Sequence, residues 1–79
     1  FKLVSERKLN INPTTKLLNA SVQACAAQCT YMDSFICRSF DYFTDTNTCY
    51  FYKENLKDKI HINLNLVENK NCNHYSRKI

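Results

Sequence analysis

The sequence predicts an α+β domain in which one helix packs on a small antiparallel sheet and disulfides staple the two together. Three observations predict it. An alanine-rich stretch carries two cysteines one helical turn apart. A period-two hairpin follows and carries two more. The chain has only 79 residues, a size near the limit of independent stability, at which domains are ordinarily stapled.

The elements follow in chain order. Phe1-Lys2-Leu3-Val4 reads as a short strand, and Lys8 to Asn12 holds a second, weaker alternation. Asn12-Pro13-Thr14-Thr15 breaks it, as the restricted residue before a proline usually does. The helix spans about Ser21 to Tyr31. Ser21 is a good N-cap, and alanines 24, 26 and 27 are the best helix formers. Val22, Cys25, Cys29 and Met32 fall on one face, so both helical cysteines look toward the core. Cys37 to Tyr42 alternates with period two, Thr44-Asp45-Thr46-Asn47 is turn chemistry, and Cys49-Tyr50-Phe51-Tyr52 favours a strand. Lys53 to Lys59 reads as a charged loop, and Ile60, Ile62, Leu64 and Leu66 alternate as a half-buried strand. The polar tail 68–79 is expected to fray or to lead into a next module. The whole of 1–79 reads as one domain with its core motif at 21–52.

Four clustered cysteines allow three pairings, and spacing alone does not choose among them. Geometry narrows the choice. Cys37 and Cys49 open the two strands of an antiparallel hairpin, so they lie toward opposite ends and cannot bond directly. Each helical cysteine should therefore bridge to the hairpin. The short loop favours Cys29–Cys37, which leaves Cys25–Cys49 nested around it. Loop entropy makes these worth about 2.5 and about 3.5 kcal/mol.

The run Ser21-Val22-Gln23-Ala24-Cys25-Ala26-Ala27-Gln28-Cys29, then Phe35-Ile36-Cys37-Arg38-Ser39-Phe40-Asp41-Tyr42, then Cys49-Tyr50, resembles a PAN/apple domain. That family shows a capped helix with two cysteines, a strand opening on cysteine, a basic residue and phenylalanine, and a closing cysteine. The spacing before the helix and Val67-Glu68-Asn69-Lys70 resemble the N-terminal PAN domains of plasminogen and hepatocyte growth factor, which precede kringles. The resemblance implies a sheet of about five strands, nested disulfides and further domains in the parent chain. In apple-type domains a late cysteine often pairs with one near the N-terminus. No cysteine precedes Cys25 here, so the fifth, Cys72, is unpaired or its partner is missing. The partner lies upstream, in a following module or on another chain, or the thiol is free.

Cysteine usage points to an oxidising, secreted or extracellular setting. No apolar run is long enough to span a bilayer, so no membrane insertion is expected. No leader pattern stands at Phe1, which reads as the start of a mature segment with its signal implied upstream. Glycine is absent and asparagine occurs ten times, so turns that need positive φ fall to Asn or Asp. Zinc is not expected: the cysteine spacing is wrong, and His61 and His74 are far apart and read as surface residues. No catalytic residue is expected, because the clustered cysteines are committed to bridges. A glycine-rich phosphate loop cannot form, and no cofactor is implied. The basic residues are scattered, which argues against nucleic acid.

What remains is binding. The net charge of +4, from 11 basic and 7 acidic side chains, favours acidic partners. Arg38 is a candidate contact on the first hairpin strand. If Cys37, Ser39 and Asp41 face the helix, Arg38, Phe40 and Tyr42 face away, although Phe40 reads better as core. The resemblance implies heparan sulfate binding by basic residues before and within the helix. Here those positions hold Gln28 and Tyr31, with Lys16 nearby. Lys53, Lys57 and Lys59 offer a weaker sulfate site. Asn19-Ala20-Ser21 is a glycosylation sequon whose serine is also the proposed helix cap. Three functions follow: a module for protein–protein interaction or adhesion, which could also hold a growth factor or protease precursor inactive; a module for sulfated or other acidic glycans; or a spacer with no ligand. An exposed apolar patch favours the first, a localised basic cluster the second, and a uniformly polar surface the third.

Overall fold

The computed structural model describes residues 1–54 and 65–77. The strands are β1 (Lys2–Val4), β2 (Arg7–Leu9), β3 (Thr15–Leu17), β4 (Ser39–Phe43), β5 (Thr48–Tyr52), β6 (Leu66–Glu68) and β7 (Cys72–Ser76), with one helix, α1 (Val22–Thr30). Five strands form an antiparallel sheet in the order β1-β7-β4-β5-β3, and β2 pairs with β6 in a separate two-stranded sheet. One helix packed on a five-stranded antiparallel sheet with two disulfides is the α+β architecture expected of the sequence.

The helix starts where its cap is. Ser21 is extended, and its Oγ accepts from the Ala24 N–H at 3.1 Å. Cys25 and Cys29 are the helix's buried residues, and they bond to Cys49 and Cys37 respectively. The hairpin of β4 and β5 turns through Asn47, whose φ is 53°. With no glycine in the chain, the left-handed positions among the described residues are taken by Asn19, Asn47 and Glu6. The first two fit the tolerance of asparagine for this region, and Glu6 does not.

The two faces of the sheet are separated by strand alternation. Phe40 and Tyr42 from β4, Cys49 and Phe51 from β5, and Tyr75 from β7 pack with the helical cysteines. Tyr50, Tyr52, Asp41 and His74 point the other way, where Tyr50 and Tyr52 pack with Leu9, Ile11 and Leu66 of the smaller sheet's layer. Phe40 is core, as its reading in the sequence favours, and Tyr42 faces the helix with it, while Ser39 and Asp41 face away. The alternative, with Ser39 and Asp41 toward the helix, does not hold: the strand begins at Ser39, and Cys37, before it, reaches the helix side through its bond to Cys29.

Other expectations need correction or stand aside. The tail does not fray over its described part. Cys72–Ser76 is β7, an internal strand bonded to β1 on one side and β4 on the other. Its polarity misled because one of its faces buries a polar network. For the same reason His74 is wholly buried, not a surface residue. A short strand before the helix, β3, starts at Thr15, the last residue of the break, and pairs with β5. The strand expected over Ile60 to Leu66 lies outside the described residues as far as Leu64; of its last two residues, Asn65 precedes β6 and Leu66 begins it.

Candidate functional site: a cationic cleft at the open end of the hairpin

The chain leaves the helix at Tyr31 and returns to β4 through residues 32–38. The Cys29–Cys37 bond holds this return against the helix, with the two Cα atoms 5.1 Å apart. Phe35 tucks partly onto the core while Ile36 is left 70% exposed. Arg38 is fixed through its backbone, because its N–H donates to the Tyr52 carbonyl at 2.9 Å. The neighbouring end of β5 is fixed too: Ser39 Oγ donates to the Glu54 carbonyl at 2.7 Å. Phe35, Ile36, Arg38 and Lys53 thereby line one open cleft of about 510 Å³. Its wall is mostly apolar, with two cations on it.

A third cation adjoins. Arg77 follows β7, and its N–H donates to the Arg38 carbonyl at 2.9 Å. Its guanidinium donates to the Cys37 carbonyl at 2.8 Å. Sequence reasoning missed Arg77 because it lay in the segment read as a frayed tail. The signal that could have found it is the alternation of Cys72, His74 and Ser76 against Asn73, Tyr75 and Arg77.

Of the basic candidates, Arg38 and Lys53 are brought together. Lys16 is not. It sits exposed on the edge strand β3, opposite Tyr50, on the sheet face away from the helix. Lys57 and Lys59 lie outside the described residues. Asn19 is exposed at the other end of the hairpin, where the Ala20 N–H donates to the Asn47 carbonyl.

The second concentration of titratable groups is sealed. The Asp41 carboxylate accepts from the Leu9 N–H at 2.9 Å and from the Tyr52 hydroxyl at 2.8 Å, and it meets His74 Nδ1 at 2.6 Å. All four residues are fully buried. Burial, with the adjacent Asp41 charge and hydrogen bond, drives the Tyr52 phenol far above its usual range. Cys72, on the same face of β7 as His74, is buried and in no disulfide. Burial first, then the Asp41 charge, pushes its thiol up to about 12, with Lys8 opposing. At neutral pH this thiol is protonated and poorly nucleophilic. The register also carries the chain start away from Cys72, since Lys2 pairs with Ser76 at the far end of β7. No group of three or more potential ligands gathers into a metal site among the described residues. No helix there is long and apolar enough to cross a membrane.

A capped helix stapled by nested disulfides to a five-stranded sheet is the arrangement the resemblance implied, and the sequence model of the PAN domain family matches residues 1–79. The chain belongs to the PAN domain family. None of the curated proteins matches it. PAN domains are protein- and carbohydrate-binding modules, and disulfide-bearing ones are typical of extracellular proteins.

Proposed function

We propose that this PAN domain is the protein-binding module of a secreted or surface protein, and that its cleft takes an acidic segment anchored by an apolar side chain. One observation carries the reading: Arg38 and Lys53 line a cleft whose other walls are Phe35 and Ile36. A purely electrostatic glycan site has no use for an exposed isoleucine on its wall, whereas protein interfaces are built from apolar anchors ringed by polar groups. The net charge of +4 steers acidic partners toward the molecule. Adhesion, or retention of a partner domain in an inactive form, would use the same contact. The similarity to the N-terminal PAN domains of plasminogen and hepatocyte growth factor supports a parent chain with further domains.

A sulfated glycan is the second reading, favoured by Arg77 standing next to Arg38, which extends the cationic stretch beyond the cleft. The two readings separate in one experiment. The probe is a fluorescent peptide alternating Glu with Leu and Phe, titrated against the wild-type domain, Ile36→Glu and Arg38→Ala/Lys53→Ala. We expect both variants to weaken binding at least tenfold, equivalent to about 1.4 kcal/mol. Elution from immobilised heparin is compared with a sulfonate exchanger of matched charge density. Equal elution salt on the two columns supports the protein reading. Clearly later elution from heparin, unchanged in Ile36→Glu, overturns it in favour of the glycan.

A further inference from the structure

The sequon Asn19-Ala20-Ser21 is the one Asn-x-Ser/Thr triplet of the chain without a proline at its centre. It occupies the connection between β3 and α1. That connection is fixed from below: the Tyr42 hydroxyl donates to the Ala20 carbonyl at 2.8 Å and to Asn47 Oδ1 at 3.0 Å, and the Ala20 N–H donates to the Asn47 carbonyl at 2.9 Å. These bonds hold Asn19 at a φ of 53° with its side chain exposed. Its amide makes no hydrogen bond among the described residues. Ser21 keeps its hydroxyl on the Ala24 N–H, so the folded cap survives whatever is attached two residues earlier. Asn19, Ala20, Ser21, Tyr42 and Asn47 rim a shallow cleft of about 370 Å³, with polar and apolar walls in similar measure. Leu18, the residue before Asn19, is 59% exposed.

We propose that Asn19 is an N-glycosylation site whose first sugar seats in this cleft and screens Leu18. The amide Nδ2 attacks the anomeric carbon of an oligosaccharide carried on a lipid diphosphate. The C–N bond forms, the C–O bond to the diphosphate breaks, the lipid diphosphate leaves, and the amide gives up one proton to the transferring enzyme's base. A sugar ring with an apolar face and a hydroxyl rim matches a cleft of mixed lining next to an aromatic edge. The site lies at the closed end of the β4–β5 hairpin and the cationic cleft at its open end, about 17 Å of strand away. A glycan there leaves the cationic cleft open.

The test is secretion of the whole chain from a eukaryotic host, with a known glycosylated sequon in an appended tag as the positive control. The intact mass is read before and after peptide N-glycosidase treatment. Asn19→Asp keeps a residue that tolerates positive φ, and Ser21→Asp keeps an equally good N-cap. Both abolish the sequon without removing a structural contact, whereas Ser21→Thr retains it. We expect wild type and Ser21→Thr to carry one glycan at residue 19, and both aspartate variants to lose it while secreting at similar yield. Two results would overturn the proposal: an unmodified Asn19 when the control sequon is occupied, or a mass shift that persists in both aspartate variants.

Discussion

The two faces of the five-stranded sheet are held by different physics. On the helix side the core is apolar and aromatic: Phe40 stacks on Tyr75 with ring centroids 4.9 Å apart, Phe1 meets Phe40 edge-on at 5.3 Å, and two disulfides fasten the helix. On the other side, under the layer of β2 and β6, a single carboxylate receives a main-chain N–H, a phenol and an imidazole. Apolar packing is divisible, so losing one contact costs one contact. A buried polar network is not: removing its acceptor strands every donor at once. The stapled face therefore tolerates change by degrees, and the polar face resists or fails as a unit.

That contrast can be broken most directly at Asp41. Asp41→Ala leaves the Leu9 N–H, the Tyr52 hydroxyl and His74 without an acceptor, and should cost about 3–5 kcal/mol. Urea unfolding reads the loss. A cost below that of removing either disulfide would show that the polar face is not the cooperative one. The staples come next. Replacing Cys25 and Cys49 by Ala opens a loop with a sequence separation of 24, while Cys29 and Cys37 span 8. The losses should be about 3.5 and about 2.5 kcal/mol, so the outer bridge matters more by about 1 kcal/mol. Reversal of that order in paired melting curves would mean that the short bridge also supports the return to β4 enthalpically.

Alkali sharpens the comparison from the polar side. The thiol of Cys72 keeps its proton in the folded chain up to about 12 but loses it near 9 when unfolded. The unfolded state therefore sheds the proton first as pH rises. The stability contributed by the neutral buried thiol is full below pH 9 and falls through the window up to 12. The slope is about 1.4 kcal/mol per pH unit, so about 2 kcal/mol is gone by pH 10.5. Cys72→Ala should flatten the fall in the unfolding midpoint between pH 9 and 10.5. Tyr52, raised for the same reason, keeps part of it. If the slope is the same in both proteins, the thiol is not buried with Asp41 in solution. A thiol reagent should label Cys72 only after denaturation.

What could be read in advance depended on how local each signal was. The helix, its Ser21 cap and the inward Cys25 and Cys29 are decided within ten residues, and the structure has them where the pattern put them. The hairpin and its Asn47 turn are equally local. Strand β7 was not legible, because Cys72-Asn73-His74-Tyr75-Ser76 looks polar until its partners are known. Its His74 becomes interior only when Asp41, thirty-three positions earlier, lies opposite with a carboxylate to offer. The candidate cleft divides the same way. Arg38 and Lys53 were singled out separately as charges, but nothing in their spacing brought them together with Phe35 and Ile36.

By itself, then, the sequence determined the elements whose signals are complete within a turn or two: the capped helix and the hairpin. Tertiary structure alone decided which polar residues are core and which basic residues are neighbours. The physical reason is that burial of a polar side chain is favourable only when a distant partner satisfies it. Such partners meet here through the sheet: β7 reaches both β1 and β4, and so carries His74 to Asp41 and Arg77 to Arg38.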